Sequence, residues 1–299
     1  MRNKKILYNN NSLKSIFFKF LIVFSNFKRN TSTVESTKKY ILWCQKRKIN
    51  TKTFQKMSKI EYKNYIYYEN TYKSNTSHSV LFYIHGGSFV DKPLYMQVKF
   101  AKKIAKKLHI DLVIPIYENI PNGNATLFLE EMIDIYSYLL KKYNNIYLMG
   151  DSAGGGAALS LYMLLVNKKI NRPKGIILLS PWLDLSLTNK DIENKNDIVC
   201  SIVGNRYCGS IWAGALDIND YRVSPLYGNV ADLNNVFITC SKNELCQPDC
   251  IKLVSKLDNE HIDYRFMQFN HQFHNFELYP IKESKIVIEE ISKYMMEGY

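Results

Sequence analysis

Residues 150–154 read Gly-Asp-Ser-Ala-Gly, inside the longer stretch NIYLMGDSAGGGAALSLYML, which passes from an apolar strand-like run into a helix-like one. A serine at such a junction does chemistry when the turn is sharp. Glycines two positions to either side give a strained backbone room, and the hydroxyl of Ser152 is then held out at the strand end as a nucleophile. The blander alternative is a tight strand-to-helix connection whose small residues only let a helix pack closely on a sheet. A phosphate-cradling loop fits poorly, because the Lys-Ser/Thr ending that reaches terminal phosphates and magnesium is absent.

A serine attacks a carbonyl well only if a base takes its proton, a carboxylate orients that base and donors receive the developing oxyanion. YIHGGSF, residues 83–89, follows an apolar run. Its glycines let the N–H groups of Gly86 and Gly87 turn towards one point, which the N–H of Ala153 can join. Alone, the stretch reads equally well as a glycine turn with a buried histidine, and His85 is expected to brace the loop. The base should follow the last strand, because this arrangement orders its parts nucleophile, acid, histidine along the chain. His261 precedes that strand; His274 follows it, with His271 as a close rival. The acid is expected in SKNELCQPD, after NVFITC. Glu244 is preferred there to Asp249, which suits a helix start.

Such parts need a scaffold that brings distant loops together. Strand-like runs occur within 59–70 and at 79–84, 111–116, 145–150, 175–180, 235–240 and 262–269, most of them separated by helical periodicity. Between 94 and 108, Leu94, Val98, Ala101, Ala105 and Leu108 form the apolar side, and the lysines between them form a solvated face. Alternating strands and helices predict an α/β chain with a mostly parallel sheet and helices on both faces. Residues 184–225 interrupt the rhythm and are expected to be an excursion, part of a cap.

The chain has 299 residues and a formal net charge of +13. The charge is not spread evenly. Residues 1–60 hold fifteen Lys or Arg against the single acid Glu35, so the remainder is close to neutral. Nucleic-acid binding is therefore not expected of the body, which also lacks paired Cys/His ligands and an RNP aromatic pair. Within the basic arm, SIFFKFLIVFSNF (15–27) is too short for a comfortable span of ~20 residues. It reads either as a helix covering the core or active site, or as an amphipathic helix on an anionic membrane surface through residues 15–29. The six cysteines include no CxxC pair, so free thiols in a cytoplasmic compartment are expected rather than zinc, with peripheral membrane attachment through the arm as an addition.

HGGS, GDSAGG, SPWLDLS (180–186), SPLYG (224–228), an acid after the penultimate strand and HNFELYP together resemble the hormone-sensitive-lipase-like branch of the α/β-hydrolases, over roughly residues 60–299. The resemblance is strongest to small bacterial and fungal acetyl esterases. It implies an α/β-hydrolase fold with a helical cap, a hydrolase domain over 61–299 with a cap insertion at about 184–225, preceded by the basic N-terminal arm over 1–60 that the charge distribution marks. Carried over, the roles are Ser152 as nucleophile, His274 as base and then acid, Glu244 as orienting carboxylate, and Gly86, Gly87 and Ala153 as oxyanion donors. The implied substrate is a small-molecule ester with a short acyl group, acetyl foremost, handled without metal or organic cofactor. An amidase or formamidase, or an inactive ligand-binding homologue, are the alternatives. HGGS stands where HGGG is commoner, IPIYENIPNGN lacks an Ala-Pro-Glu run, and Glu244 stands where many relatives have Asp.

Overall fold

The computed structural model describes residues 3–296, so the first two residues of the arm and the last three of the 61–299 domain lie outside the described residues. Its centre is a row of parallel strands whose residues are buried on both faces: β4 (Ser79–Ile84), β5 (Asp111–Ile116), β6 (Asn145–Asp151), β7 (Gly175–Leu179), β8 (Val236–Ser241) and β9 (Tyr264–Phe269). Burial on both sides is why these segments read as continuous apolar runs rather than as alternating ones. At one edge β2 (Ser58–Tyr62) and β3 (Tyr65–Asn70) form an antiparallel hairpin, and β3 pairs antiparallel with β5. The nine-stranded order is β1-β9-β8-β7-β6-β4-β5-β3-β2.

The first strand, β1 (Lys4–Tyr8), was not foreseen. It pairs in parallel with β9, Lys4 opposite Arg265 and Tyr8 opposite Phe269, and the Tyr8 and Phe269 rings stack at 4.6 Å. A lysine-rich stretch whose partner lies some 260 residues away carries no local strand signal, so the charge-based boundary at residue 60 does not coincide with the sheet edge.

Helices cover both faces. α3 (Tyr95–Leu108) and α8 (Lys282–Met296) contribute Val98, Ala101, Ile104, Val287 and Ile291 to one apolar layer. α4 (Ala125–Leu139), α5 (Ala153–Asn167) and α7 (Gln247–Asn259) contribute Met132, Leu161 and Leu253 to the other. On α3 the side chains of Lys99, Lys103, Lys106 and Lys107 are exposed, the solvated face expected of them.

The arm folds back over the end of the sheet as two helices, α1 (Leu13–Ser25) and α2 (Val34–Lys46). Each starts on a side-chain cap. Ser12 accepts from the Ser15 N–H, and Thr33 and Ser36 form a reciprocal capping box. Ser12 also ties the arm to α8, donating its N–H and hydroxyl to the two carboxylate oxygens of Glu283 at 2.6 and 2.8 Å. The inward side of α1 carries Ser15, whose hydroxyl bonds Gln272 Oε1 at 2.5 Å, and Phe18, edge-on to Tyr279. The excursion at 184–225 contains one α-helix, α6 (Ile202–Ala213), and Gly204 on it lies so close to Thr31 that any Cβ would clash.

Candidate active site

Ser152 occupies the turn between β6 and α5 with φ 51° and ψ −122°, a conformation that ordinary side chains avoid. The strain is held by neighbours. The Ser152 N–H bonds Leu179 O at 2.9 Å, and its carbonyl accepts from Trp182 at 2.9 Å and from the first turn of α5. The flanking glycines are there for space: a Cβ on Gly150 would collide with the Gly154 carbonyl, and one on Gly154 with the carbonyls of Ile84 and His85. Close approach of α5 to the ends of β4 and β6 thus accounts for the spacing of the motif.

Three loops far apart in sequence meet at this serine. His274 Nε2 lies 2.8 Å from Ser152 Oγ, and His274 Nδ1 lies 3.0 Å from Glu244 Oε2. Glu244 follows β8, and its second carboxylate oxygen accepts the Ser241 N–H at 3.1 Å; the Ser241 hydroxyl in turn donates to Gln272 O at 2.6 Å. The acid loop and the histidine loop are therefore stitched to each other before either reaches the serine. All three side chains are buried.

The rivals lie elsewhere. His271 and His261 are exposed, and the His271 carbonyl accepts from Lys19 of α1. Asp249 sits in the first turn of α7, bonded by Asn189 Nδ2 at 2.8 Å, with its pKa pushed up to about 6 by burial. His85 braces its loop: it stacks on Tyr117, its Nδ1 is 2.9 Å from Gly86 O, and burial lowers its pKa to about 4, so it is neutral near pH 7.

One expected donor is otherwise engaged. The Gly86 N–H donates to Asp151 Oδ1 at 2.9 Å and is not available to an oxyanion. Gly87 (φ 115°) and Ser88 (φ 52°), the next two residues of the loop, border the cavity in front of Ser152, and Ala153 starts α5 directly after the serine. The serine in HGGS takes a positive φ that a glycine would take without strain.

Asp151 was missed as well. Its buried carboxylate accepts from Tyr83 (2.5 Å), Gly86 N (2.9 Å), Gln97 (3.0 Å) and Asn275 (3.0 Å). It links β4, the 86–88 loop, α3 and the histidine loop. Its place between Gly150 and Ser152, at the end of a buried strand, was the available signal.

Electrostatics around the histidine have a clear direction. Burial by itself lowers the His274 pKa, but Cys200, Cys246 and Glu244 around the ring outweigh it and the net shift is upward. Burial raises the pKa of the Cys200 and Cys246 thiols as well. Burial also raises Glu244, opposed by His274, and pushes the neighbouring Glu277 up to about 8, so that Glu277 is largely uncharged at neutral pH.

All six cysteines are free and buried. Among the described residues, Asp197, Cys200 and His274 bring one potential metal-ligand atom each within 4.8 Å of one another. Their groups already have work: Asp197 accepts the N–H groups of Val199, Cys200 and Leu245, and both His274 nitrogens face the serine and the glutamate. The cavity in front of Ser152 is about 390 Å³, walled by Ile22 and Ser25 of α1, Tyr40 of α2, and Val199 and Cys208 of the excursion. Residues of the arm and of the excursion thus line the same cavity. No helix among the described residues is long and apolar enough to cross a membrane.

Comparison with known proteins agrees with this architecture. An esterase of Acinetobacter venetianus is 25% identical over 229 residues, 72% of this chain and 74% of that protein. A triacylglycerol lipase of Mycobacterium tuberculosis is 30% identical over 158 residues, 52% of this chain but only 32% of the lipase. The crystal structure of an esterase from the bacterial hormone-sensitive lipase family superposes with a TM-score of 0.82 at 17% identity, covering 97% of this chain and 99% of that one, a likeness of fold. A family model described as alpha/beta hydrolase fold matches residues 81–278, well over half of the sequence and spanning all three loops that meet at Ser152. The resemblance first drawn from scattered motifs is therefore borne out, and the chain belongs to the alpha/beta hydrolase fold family.

Proposed function

We propose that the protein is a serine carboxylesterase acting on short-chain, chiefly acetyl, esters. The observation that carries this reading is the relay Ser152 Oγ to His274 Nε2 and His274 Nδ1 to Glu244, with both contacts at hydrogen-bond length on one side of a cavity. Ser152 Oγ attacks the ester carbonyl as His274 takes its proton. The oxyanion is received by the N–H groups of Gly87, Ser88 and Ala153, and protonated His274 gives its proton to the departing alcohol. Water, deprotonated by His274, then attacks the acyl-serine, releasing the carboxylic acid and restoring the hydroxyl. The names of relatives, an esterase and a lipase, support an ester substrate.

The test is to mix the protein with p-nitrophenyl acetate, quench and digest it. An acetyl mass on the peptide containing Ser152, formed together with nitrophenolate and lost on further incubation, is expected; turnover with no acyl-serine would overturn the mechanism.

The raised His274 pKa gives a second expectation. His274 must be neutral to accept the proton, so kcat/KM falls as pH drops through its pKa, and the midpoint should lie above the ordinary histidine value of ~6.5. Glu244→Gln removes the anion and should move that midpoint down. A wild-type midpoint below the ordinary value would contradict the electrostatic account.

A further inference from the structure

Helix α1 carries its apolar side outward. Leu13, Phe17, Phe20 and Phe24 recur at the spacing of a single helical stripe, yet they are 85%, 57%, 64% and 79% exposed. The side turned to the protein holds Ser15, Phe18, Ile22 and Ser25. Phe20 and Phe24 stack on each other at 6.0 Å. Past the end of the helix the aromatic surface continues through Phe27 and Tyr40 to Trp43, and Leu42 and Trp43 of α2 are also exposed. Monomers in water rarely leave so many large apolar groups together on one surface.

Charge decides what covers it. Lys14, Arg29, Lys38, Lys39, Lys46 and Arg47 are exposed around these two helices, and Glu35 is the single acid among residues 1–60. An open groove beside the cavity runs between Arg29, Lys39, Tyr40 and Trp43, a cationic and aromatic lining suited to an anionic headgroup. A second copy docked on this face would bring the same positive surface against itself. Aromatic side chains ringed by lysine and arginine instead match an anionic lipid surface, with the rings below the headgroups and the cations among them.

The same helix is a wall of the cavity. Ile22 and Ser25 face into it, and Phe27 and Tyr40 stand where the cavity meets the exposed aromatic surface. We propose that α1 and α2 dock the protein on an anionic membrane with the mouth of the cavity towards the lipid, and that its esters are ones dissolved in that membrane. The second half of this proposal rests on the ester-hydrolase reading. An alcohol portion with a long apolar chain would reach Ser152 along the helix without crossing water, and partition into the lipid would concentrate it at the mouth.

The experiment compares wild type with the triple variant Phe17→Gln, Phe20→Gln, Phe24→Gln, whose changed side chains touch neither the cavity nor the relay. Flotation is measured with vesicles of phosphatidylcholine alone and of phosphatidylcholine mixed with phosphatidylserine. Hydrolysis is measured on hexadecyl acetate carried in those vesicles and on p-nitrophenyl acetate in water. Wild type should float with the mixed vesicles and lose most of that binding in high salt, while the variant binds on the order of 100-fold more weakly. The variant should lose hexadecyl acetate turnover in parallel and keep p-nitrophenyl acetate turnover.

Equal flotation of the two proteins would overturn docking through α1. Flotation with undiminished hexadecyl acetate turnover by the variant would overturn delivery from the membrane. Self-association of wild type without vesicles, abolished in the variant, would assign the face to a second copy and overturn the proposal. Wild type inactive on both esters would end the ester reading and with it the delivery step, while flotation would still decide the docking.

Discussion

Ser152→Ala is expected to lower kcat on p-nitrophenyl acetate by roughly a millionfold, leaving only the residual acceleration that binding and the oxyanion donors supply. The reason is that the three side chains act as a unit. Without the hydroxyl, His274 has no proton to accept and Glu244 nothing to orient, so the double change Ser152→Ala with His274→Ala should cost little more than Ser152→Ala alone. The fold should survive: the serine side chain makes one hydrogen bond, to His274, and the turn is held by its backbone bonds to Leu179 and Trp182. Kinetics and fluorophosphonate labelling of wild type and the variants check this. Labelling that persists in Ser152→Ala, or turnover within tenfold of wild type by the scale of the losses above, would remove Ser152 from the reaction.

Most of the scaffold was legible because central parallel strands are buried on both faces and so announce themselves as apolar runs. β4 through β9 all fell where such runs lie, and the helices between them followed from periodicity. The same logic located the serine, since its glycines are required by the close approach of α5 to two strand ends. Features set by partners distant in sequence were harder to see. β1 is defined by β9 across nearly the whole chain, the outward stripe on α1 could not be told from an inward one by periodicity, and the cavity is lined jointly by arm and excursion. The engagement of the Gly86 N–H is the sharpest case. Glycine content marks a loop that can turn, but which N–H is left free of an internal partner depends on Asp151, which claims the first of them.

That claim makes Asp151→Asn the other change with a large expected effect, although Asp151 does not touch the reacting atoms. Its carboxylate collects four donors, from Tyr83, Gly86, Gln97 and Asn275, and so fixes the 86–88 loop relative to the residue next to His274. An asparagine is nearly the same size but presents an amide with hydrogens of its own towards two of those donors. Each buried donor left unmatched costs about 1–3 kcal/mol, so a stability loss of about 3 kcal/mol is expected. The displaced loop should also lower kcat by about 100- to 1000-fold, the range associated with losing one oxyanion donor, with a smaller change in KM. A purely structural role would predict the first loss without the second. The control is Val287→Ala on α8, which opens space in the core away from the site. Measured by thermal unfolding and by kcat at a temperature where both variants remain folded, Val287→Ala should keep its turnover at comparable destabilisation. If Asp151→Asn also retained wild-type kcat, the carboxylate would be a prop for the fold alone, and the alignment of donors and histidine would have to come from the 86–88 backbone itself.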